Sequence, residues 1–154
     1  MKIIEQLLQK KIWDGPKVTK EDIASHEAVS AIIHKNKKIL MFKHVKYEFW
    51  TIPIGKVRPG QKVSAALKEE LQEECGINPT KFAVIAQFER VYSRGKGVKT
   101  TVNNHVCDII KYRGTLTNKE PEKHSQMKWM TIQEIKRIKD ISDATKAFLK
   151  TIET

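Results

Sequence analysis

Acidic residues are in short supply. Asp and Glu number 18 against 29 Lys and Arg, a formal net charge of +11 over 154 residues. That excess points to acidic partners, polyphosphates and nucleic acid foremost, although lysines spread along the whole chain serve solubility equally well. Cysteine is scarcer: only Cys75 and Cys107 occur, with neither metal-cluster nor redox-pair spacing. Two packed thiols and no thiol chemistry are expected. No apolar stretch is long enough to span a bilayer, and the opening MKIIEQLLQKKIWDG lacks the apolar run and small-residue cleavage site of a secretory signal. The expectation is a cytoplasmic protein with no membrane partner. Internal repeats, linkers and low-complexity tracts are also missing. What remains is an ordinary globular profile, 40% hydrophobic and 31% charged, expected to form a single domain over 1–154.

Residues 3–12 have a loose helical period that Gly15-Pro16 breaks, so 1–25 is expected to be a short helix or an arm. Two β-rich runs, AVSAIIH and KILMFKH, flank Asn36 in a lysine-rich turn and predict a hairpin. The stretch YEFWTIPIGKVRPGQ, punctuated by Pro53, Gly55, Pro59 and Gly60, reads as a loop leading into a helix over 63–75 that Gly76 ends. Further β-rich runs at 82–92 and 100–112 are separated by the turn SRGKGVK. KWMTIQEIKRI then predicts a short strand with a helical turn, and ISDATKAFLKTI a terminal helix. The order β-β-loop-α-β-β-α implies an α/β fold, a mixed sheet flanked by helices.

Against the basic background, Glu69, Glu70, Glu73 and Glu74 crowd into one and a half turns of the 63–75 helix. Like-charge pairs four residues apart destabilise a helix by roughly 0.2–0.5 kcal/mol each. At about 100° per residue, Val63, Leu67, Leu71 and Cys75 form an apolar stripe with Glu70, Glu73 and Glu74 on its near flank. Glu74 projects almost along the stripe, whereas Glu69 and Gln72 point away. A carboxylate aimed at a core stays ionised only when paired or bound to a metal. Oxygen donors at i, i+3 and i+4 suit a hard cation such as Mg²⁺. A solvated acidic face balanced by nearby lysines is the alternative reading.

The segment from Gly55 through Glu69, Glu70, Leu71, Glu73, Glu74, Gly76 and Ile77 resembles the Nudix box, G-x5-E-x7-R-E-U-x-E-E-x-G-U, with seven of nine specified positions in place. The approach WTIPIGKVRPGQ is similar to that family's W-x-x-P-G-G-K-x-x-x-G-E entry to the box, with Trp50, Pro53, Gly55, Lys56 and Gly60 present and Ile54 in place of a glycine. MKWMTIQEI, with Trp129, resembles the family's tryptophan-containing strand and acidic helical turn. The likeness spans most of 27–150 and implies a Nudix-type α/β/α sandwich. Gln61 stands where the family has its first glutamate, and Glu69 where it has the arginine. In the family that pair supports the catalytic glutamates. A Gln61 amide donating to the Glu69 carboxylate would preserve one hydrogen bond with the charge on the other end.

The resemblance also implies a mechanism. Glu70, Glu73 and Glu74 with the Gly55 carbonyl would bind Mg²⁺ or Mn²⁺ and promote attack of water on a diphosphate. Glu70 matches the position most often given the proton-accepting role, with Glu120 and Glu122 as alternatives from a downstream loop and Glu122 also a candidate metal ligand. Lys56 and Arg58 are candidates for phosphate oxygens, and Trp50, Phe49 and Tyr92 for stacking a base. Arg90, Arg94, Lys96 and Lys99 border the SRGKGVK turn, which is either a polyphosphate clamp or a soluble hairpin tip. The implied substrate is a nucleoside diphosphate linked to another moiety: a nucleotide, a dinucleoside polyphosphate or capped RNA; the basic balance separately favours highly charged substrates, inositol pyrophosphates among them. A Nudix-fold module that binds nucleotide or RNA with weakened catalysis is the alternative. A plain RNA-binding domain would lack support, because no RNP-like or KH-like pattern occurs. Oligomeric state, a homodimer included, is left open.

Overall fold

A computed structural model describes residues 26–93 and 99–153. The helix or arm expected over 1–25, Arg94 and Lys96 lie outside the described residues, as does the side chain of Tyr92. The first four-stranded sheet has the order β5(Ile54–Val57), β1(His26–Ile32), β7(Lys99–Gly114), β6(Ile77–Ser93). Within it β1 runs parallel to β7, and the other pairings are antiparallel, so the sheet is mixed. The second sheet is antiparallel and centres on β3(Lys38–His44), which pairs with β8(His124–Thr131), with β2(His34–Lys35) and with β4(Trp50–Thr51). Because β8 follows β3 along its whole length, β2 and β4 share the opposite edge.

The expected hairpin is half right. Asn36 and Lys37 both take positive φ, 52° and 64°, the conformation of a two-residue turn between antiparallel strands. Only His34 and Lys35 pair across it, however, while β1 belongs to the other sheet. The chain therefore changes sheet at Ile33, and this bend carries the first sheet into the second. A second difference is the start of β6 at Ile77, ahead of the β-rich run expected over 82–92, so that the strand takes in Asn78-Pro79. Register shifts between Pro79 and Lys81, Lys81 and Phe82, and Val84 and Ala86 let the strand include it at the sheet's outer edge.

Alternation along β1 and β3 sends side chains to two cores. Val29, Ala31, Leu40 and Phe42 meet Ala66, Leu67, Leu71 and Cys75 of the helix α1(Val63–Cys75). Ile32, Ile39 and Met41 face the other way, toward α2(Ile132–Arg137) and α3(Asp143–Thr151), where Ile135, Ala144, Ala147 and Phe148 are buried. Helices on both faces of the strands give the α/β/α layering expected. Burying a leucine such as Leu67 or Leu71 contributes about 1.5–3 kcal/mol, and the stripe read from sequence is the face that does so. Gly76 ends α1 at φ 72°, its N–H donating to the Gln72 and Leu71 carbonyls. Both cysteines are buried, and burial pushes the Cys107 thiol up to about 11 and Cys75 further.

The N-terminus of α3 is tied to β4. Ser142 caps the helix by accepting from the Thr145 N–H, and its hydroxyl lies 2.7 Å from that of Thr51. Beneath α3 the guanidinium of Arg90 pairs with the carboxylate of Asp143, and both residues are almost wholly excluded from solvent. Arg90 was a candidate for the substrate clamp, and this burial overturns it: the side chain follows Phe88 on the inward face of β6 and is consumed by a structural ion pair. Lys99 remains exposed.

Candidate active site

One cavity of about 670 Å³ opens beside α1, between the chain that enters the helix and the loop preceding β8. The helix gives it Glu70 and Glu74, and the entering strand gives it Gly55 and Lys56. Gly55 packs against Glu70 so closely that a Cβ there would overlap the Glu70 carboxyl group. Glycine at this position is therefore a steric condition of the site, met by a flexible side chain rather than by rigid backbone. Gly55→Ala is expected to push the Glu70 carboxylate aside, lowering kcat at least tenfold while the thermal midpoint moves by less than about 2 °C. A variant with unchanged kcat would show that the close approach has no catalytic purpose.

Lys123 completes the charged end of the cavity. Thr117 and Lys119 donate their N–H groups to the carbonyls of Cys75 and Glu74, at 3.0 and 3.1 Å, so the loop is strapped to the end of α1. That strap delivers Lys123 Nζ to 3.3 Å from Glu74 Oε1 and 3.9 Å from Glu120 Oε1. Glu74 is 1% exposed, and its Oε2 has no hydrogen-bond partner among the described residues. Burial raises the Glu74 carboxyl to about 8 and Glu70 to about 7; Lys123 opposes both shifts, while the Glu70 charge adds to the rise at Glu74 and the Glu73 charge to that at Glu70. Burial also pushes Lys123 down, but Glu74, Glu120 and Glu70 outweigh it and the net shift is upward.

Glu73 stands exposed on the helix, close enough for its charge to raise Glu70 further, and Glu122 lies exposed on the cavity rim. Among the described residues no three Asp, Glu, His or Cys side chains converge as a metal site. Two of the three helix glutamates thus share the cavity and the third flanks it. An orphaned, buried carboxylate oxygen beside a second carboxylate is nevertheless the donor chemistry that a hard divalent ion takes.

Beside Lys123 the cavity wall is aromatic. His44 and His124, paired across β3 and β8, meet edge to face with centroids 5.7 Å apart, and Tyr47 and Phe49 lie 4.6 and 5.9 Å from His44. Burial, then the Lys123 charge, lowers both imidazoles to about 4, so at neutral pH they are uncharged rings. His44 Nδ1 accepts from the Lys46 and Tyr47 N–H groups at 3.2 and 3.4 Å, which fixes the turn that presents Tyr47. Phe49 lines the cavity, together with Asn104 from β7. Trp50 does not: it packs against the second core with Lys43 Nζ 5.9 Å above its ring. The sequence singled out neither Lys123, His44, His124, Tyr47 nor Asn104. Only Lys123 left a signal there, as the one cation inside the acidic run Glu120-Pro121-Glu122-Lys123.

Outside the cavity, Gln61 Nε2 donates to Glu69 Oε2 at 3.2 Å, the bond anticipated from the paired departures in the box. Glu69 has a stronger partner as well. Arg58 Nη2 donates to Oε2 at 2.9 Å and Nη1 to Oε1, and the Arg58 N–H donates to Gln61 Oε1 at 3.0 Å. Hydrogen bonding from Arg58 holds the Glu69 carboxyl below its ordinary range. Arg58 lies away from the cavity lining, bound to the helix.

The NUDIX domain model matches residues 24–151. A CTP pyrophosphohydrolase of Escherichia coli (strain K12) is 30% identical over 112 residues, 70% of this chain and 77% of that protein. A putative 8-oxo-dGTP diphosphatase of Bacillus subtilis (strain 168) is 30% identical over 59 residues, covering 38% of this chain and 40% of its own. Among solved structures, a MutT NUDIX hydrolase from Burkholderia pseudomallei superposes with a TM-score of 0.72 at 21% identity, over 83% of this chain and 98% of that one. The E. coli ORF135 protein superposes at 0.69 with 26% identity, over 86% and 94%. With the domain matched over nearly its whole described length and two of its box glutamates gathered on one cavity, the chain belongs to the Nudix hydrolase family, among its pyrophosphohydrolases.

Proposed function

We propose that the protein hydrolyses a phosphate anhydride bond in a nucleoside diphosphate linked to another moiety, in the cytoplasm, with Mg²⁺ or Mn²⁺ held by Glu70, Glu74, the flanking Glu73 and the Gly55 carbonyl. The observation that carries this reading is Glu74: a carboxylate buried beside Glu70 with one oxygen unpartnered, which a fold would not keep for stability. A bound divalent ion supplies charge neutralisation at the diphosphate and acidifies a water.

The chain's own residues divide the remaining work by position. Glu70, at the position most often given the proton-accepting role in the family, is the proton acceptor in this reading; burial raises its carboxyl to about 7 in the metal-free protein. Lys56 on the cavity wall meets phosphate oxygens, and Glu122 on the rim is a second proton acceptor. The uncharged His44, Tyr47 and Phe49 offer an apolar wall for a base, with Asn104 as a hydrogen-bonding group beside it.

A substrate panel in Mg²⁺ or Mn²⁺ tests the proposal: CTP and 8-oxo-dGTP first, after the relatives' activities, then dinucleoside polyphosphates, ADP-ribose, nucleotide sugars and capped RNA. Turnover of at least one, lost in Glu70→Gln, is the expected result. Equal turnover by the variant rejects the site, and tight nucleotide binding without any turnover identifies a binding module instead.

A further inference from the structure

We propose that Arg58 is a positioning residue for the catalytic helix, supplying from the loop the acid–base clasp that the helix itself has lost, a role that rests on the hydrolase reading above. The family pattern places an acid in the loop and an arginine on the helix. Here the loop carries the guanidinium at Arg58 and the helix carries the acid at Glu69, with Gln61 as a neutral bridge. Both nitrogens of the guanidinium fork reach both oxygens of one carboxylate, the strongest side-chain geometry available to such a pair. The loop is also closed on itself, since the Gln61 N–H donates to the Arg58 carbonyl at 2.9 Å while the Arg58 N–H donates to the Gln61 side chain at 3.0 Å.

The clasp works through neighbours. Arg58 lies three residues after Gly55, and Glu69 immediately precedes Glu70, so joining the two sets how closely Gly55 approaches the Glu70 carboxylate. The pair is solvent-exposed, with 63% of the Arg58 side chain open. Surface pairs add little to stability, so the purpose of this one is geometric. The reversal of polarity has a corollary: restoring the family's arginine through Glu69→Arg alone sets two guanidinium groups against each other.

The test measures Mn²⁺ binding to the metal-free full chain by titration calorimetry, with thermal unfolding alongside. Arg58→Ala removes a positive charge near Glu70 and Glu73, and Coulomb's law alone predicts tighter cation binding. A positioning role predicts the opposite sign: affinity about tenfold weaker, with the thermal midpoint nearly unchanged. Arg58→Lys recovers only part, because an ammonium cannot fork. Glu69→Arg weakens binding as much as Arg58→Ala, and the double exchange Arg58→Glu with Glu69→Arg, at unchanged net charge, returns affinity to within about threefold of wild type. Tighter or unchanged Mn²⁺ binding by Arg58→Ala, a double exchange worse than either single change, or no Mn²⁺ binding by wild type each overturns the proposal. If wild type binds Mn²⁺ with this pattern but turns nothing over on the substrate panel, the clasp stands and the hydrolase reading falls.

Discussion

Glu74→Gln is expected to abolish most activity while making the metal-free protein harder to unfold. If Glu74 holds the ion as proposed, several kcal/mol of transition-state charge stabilisation depend on it, and each 1.36 kcal/mol is a factor of ten, so turnover falls on the order of 10³-fold. Stability moves the other way. The folded protein raises Glu74 from 4.5 to about 8 and Glu70 from 4.5 to about 7, so between these values it keeps protons that the unfolded chain has released. Stability of the metal-free wild type therefore falls as pH rises through that window, from about 4.5 toward 8. Glutamine mimics the protonated acid, so in EDTA the variant shows a shallower pH slope and, near pH 8, a higher thermal midpoint than wild type. Added Mn²⁺ raises the wild-type midpoint by binding only the folded state and leaves that of the variant nearly still. A variant that melts earlier than wild type in EDTA at that pH would make Glu74 a structural partner of Lys123 and remove it from the site.

Arg90→Ala is expected to bring the protein to the edge of unfolding. Breaking a buried ion pair by deleting one partner costs about 3–5 kcal/mol, because the remaining charge stays buried without compensation. Against a typical total of 5–15 kcal/mol this is a large fraction. Neither Arg90 nor Asp143 lines the cavity, but their neighbours Val102 and Ala144 do, so residual folded protein should keep most, not all, of its specific activity. Asp143→Ala costs a similar amount and also removes the acidic residue from the first turn of α3. The double change to apolar residues, Arg90→Met with Asp143→Leu, is expected to recover most of the loss, since neither charge is then left stranded. Urea midpoints of the three proteins decide the matter. A wild-type midpoint for Arg90→Ala would mean that the pair contributes nothing.

The pattern of what could be read in advance follows from distance along the chain. Helix α1, its apolar stripe and its end at Gly76 were legible because every interaction that defines them lies within a few residues. The hairpin at Asn36-Lys37 was legible as a turn, but alternation along AVSAIIH says only that a strand has two faces, not which sheet it joins. Arg90 illustrates the same limit with a signal left unused: it shares the period-two phase of Phe88 in β6, which marks it as inward, yet its partner lies 53 positions away at Asp143. Of the residues named from the box and its approach, Gly55, Lys56, Glu70 and Glu74 line the cavity, whereas Trp50 and Arg58 do not and Glu73 only flanks it. Lys123 and the His44–His124 pair were not legible, because β3 and β8 come together only in the folded sheet. Gln61 and Glu69 are legible as a compensated departure; the third member, Arg58, is not, because a basic loop residue suits phosphate equally well and its partner Glu69 lies 11 positions away on the helix.

The outer edge of β6 has a consequence for life at high concentration. Among the described residues no further strand pairs with the outer edge of β6, and an edge of this kind offers backbone donors and acceptors to a second chain. Val84, Ile85 and Val91 are exposed along it. Pro79 withholds one donor, and the register shifts that follow bend the strand out of the flat geometry another edge would need. The irregularities that hid the start of β6 in the sequence are thus what keep this edge from templating fibrils, with the repulsion of a +11 chain as the second safeguard.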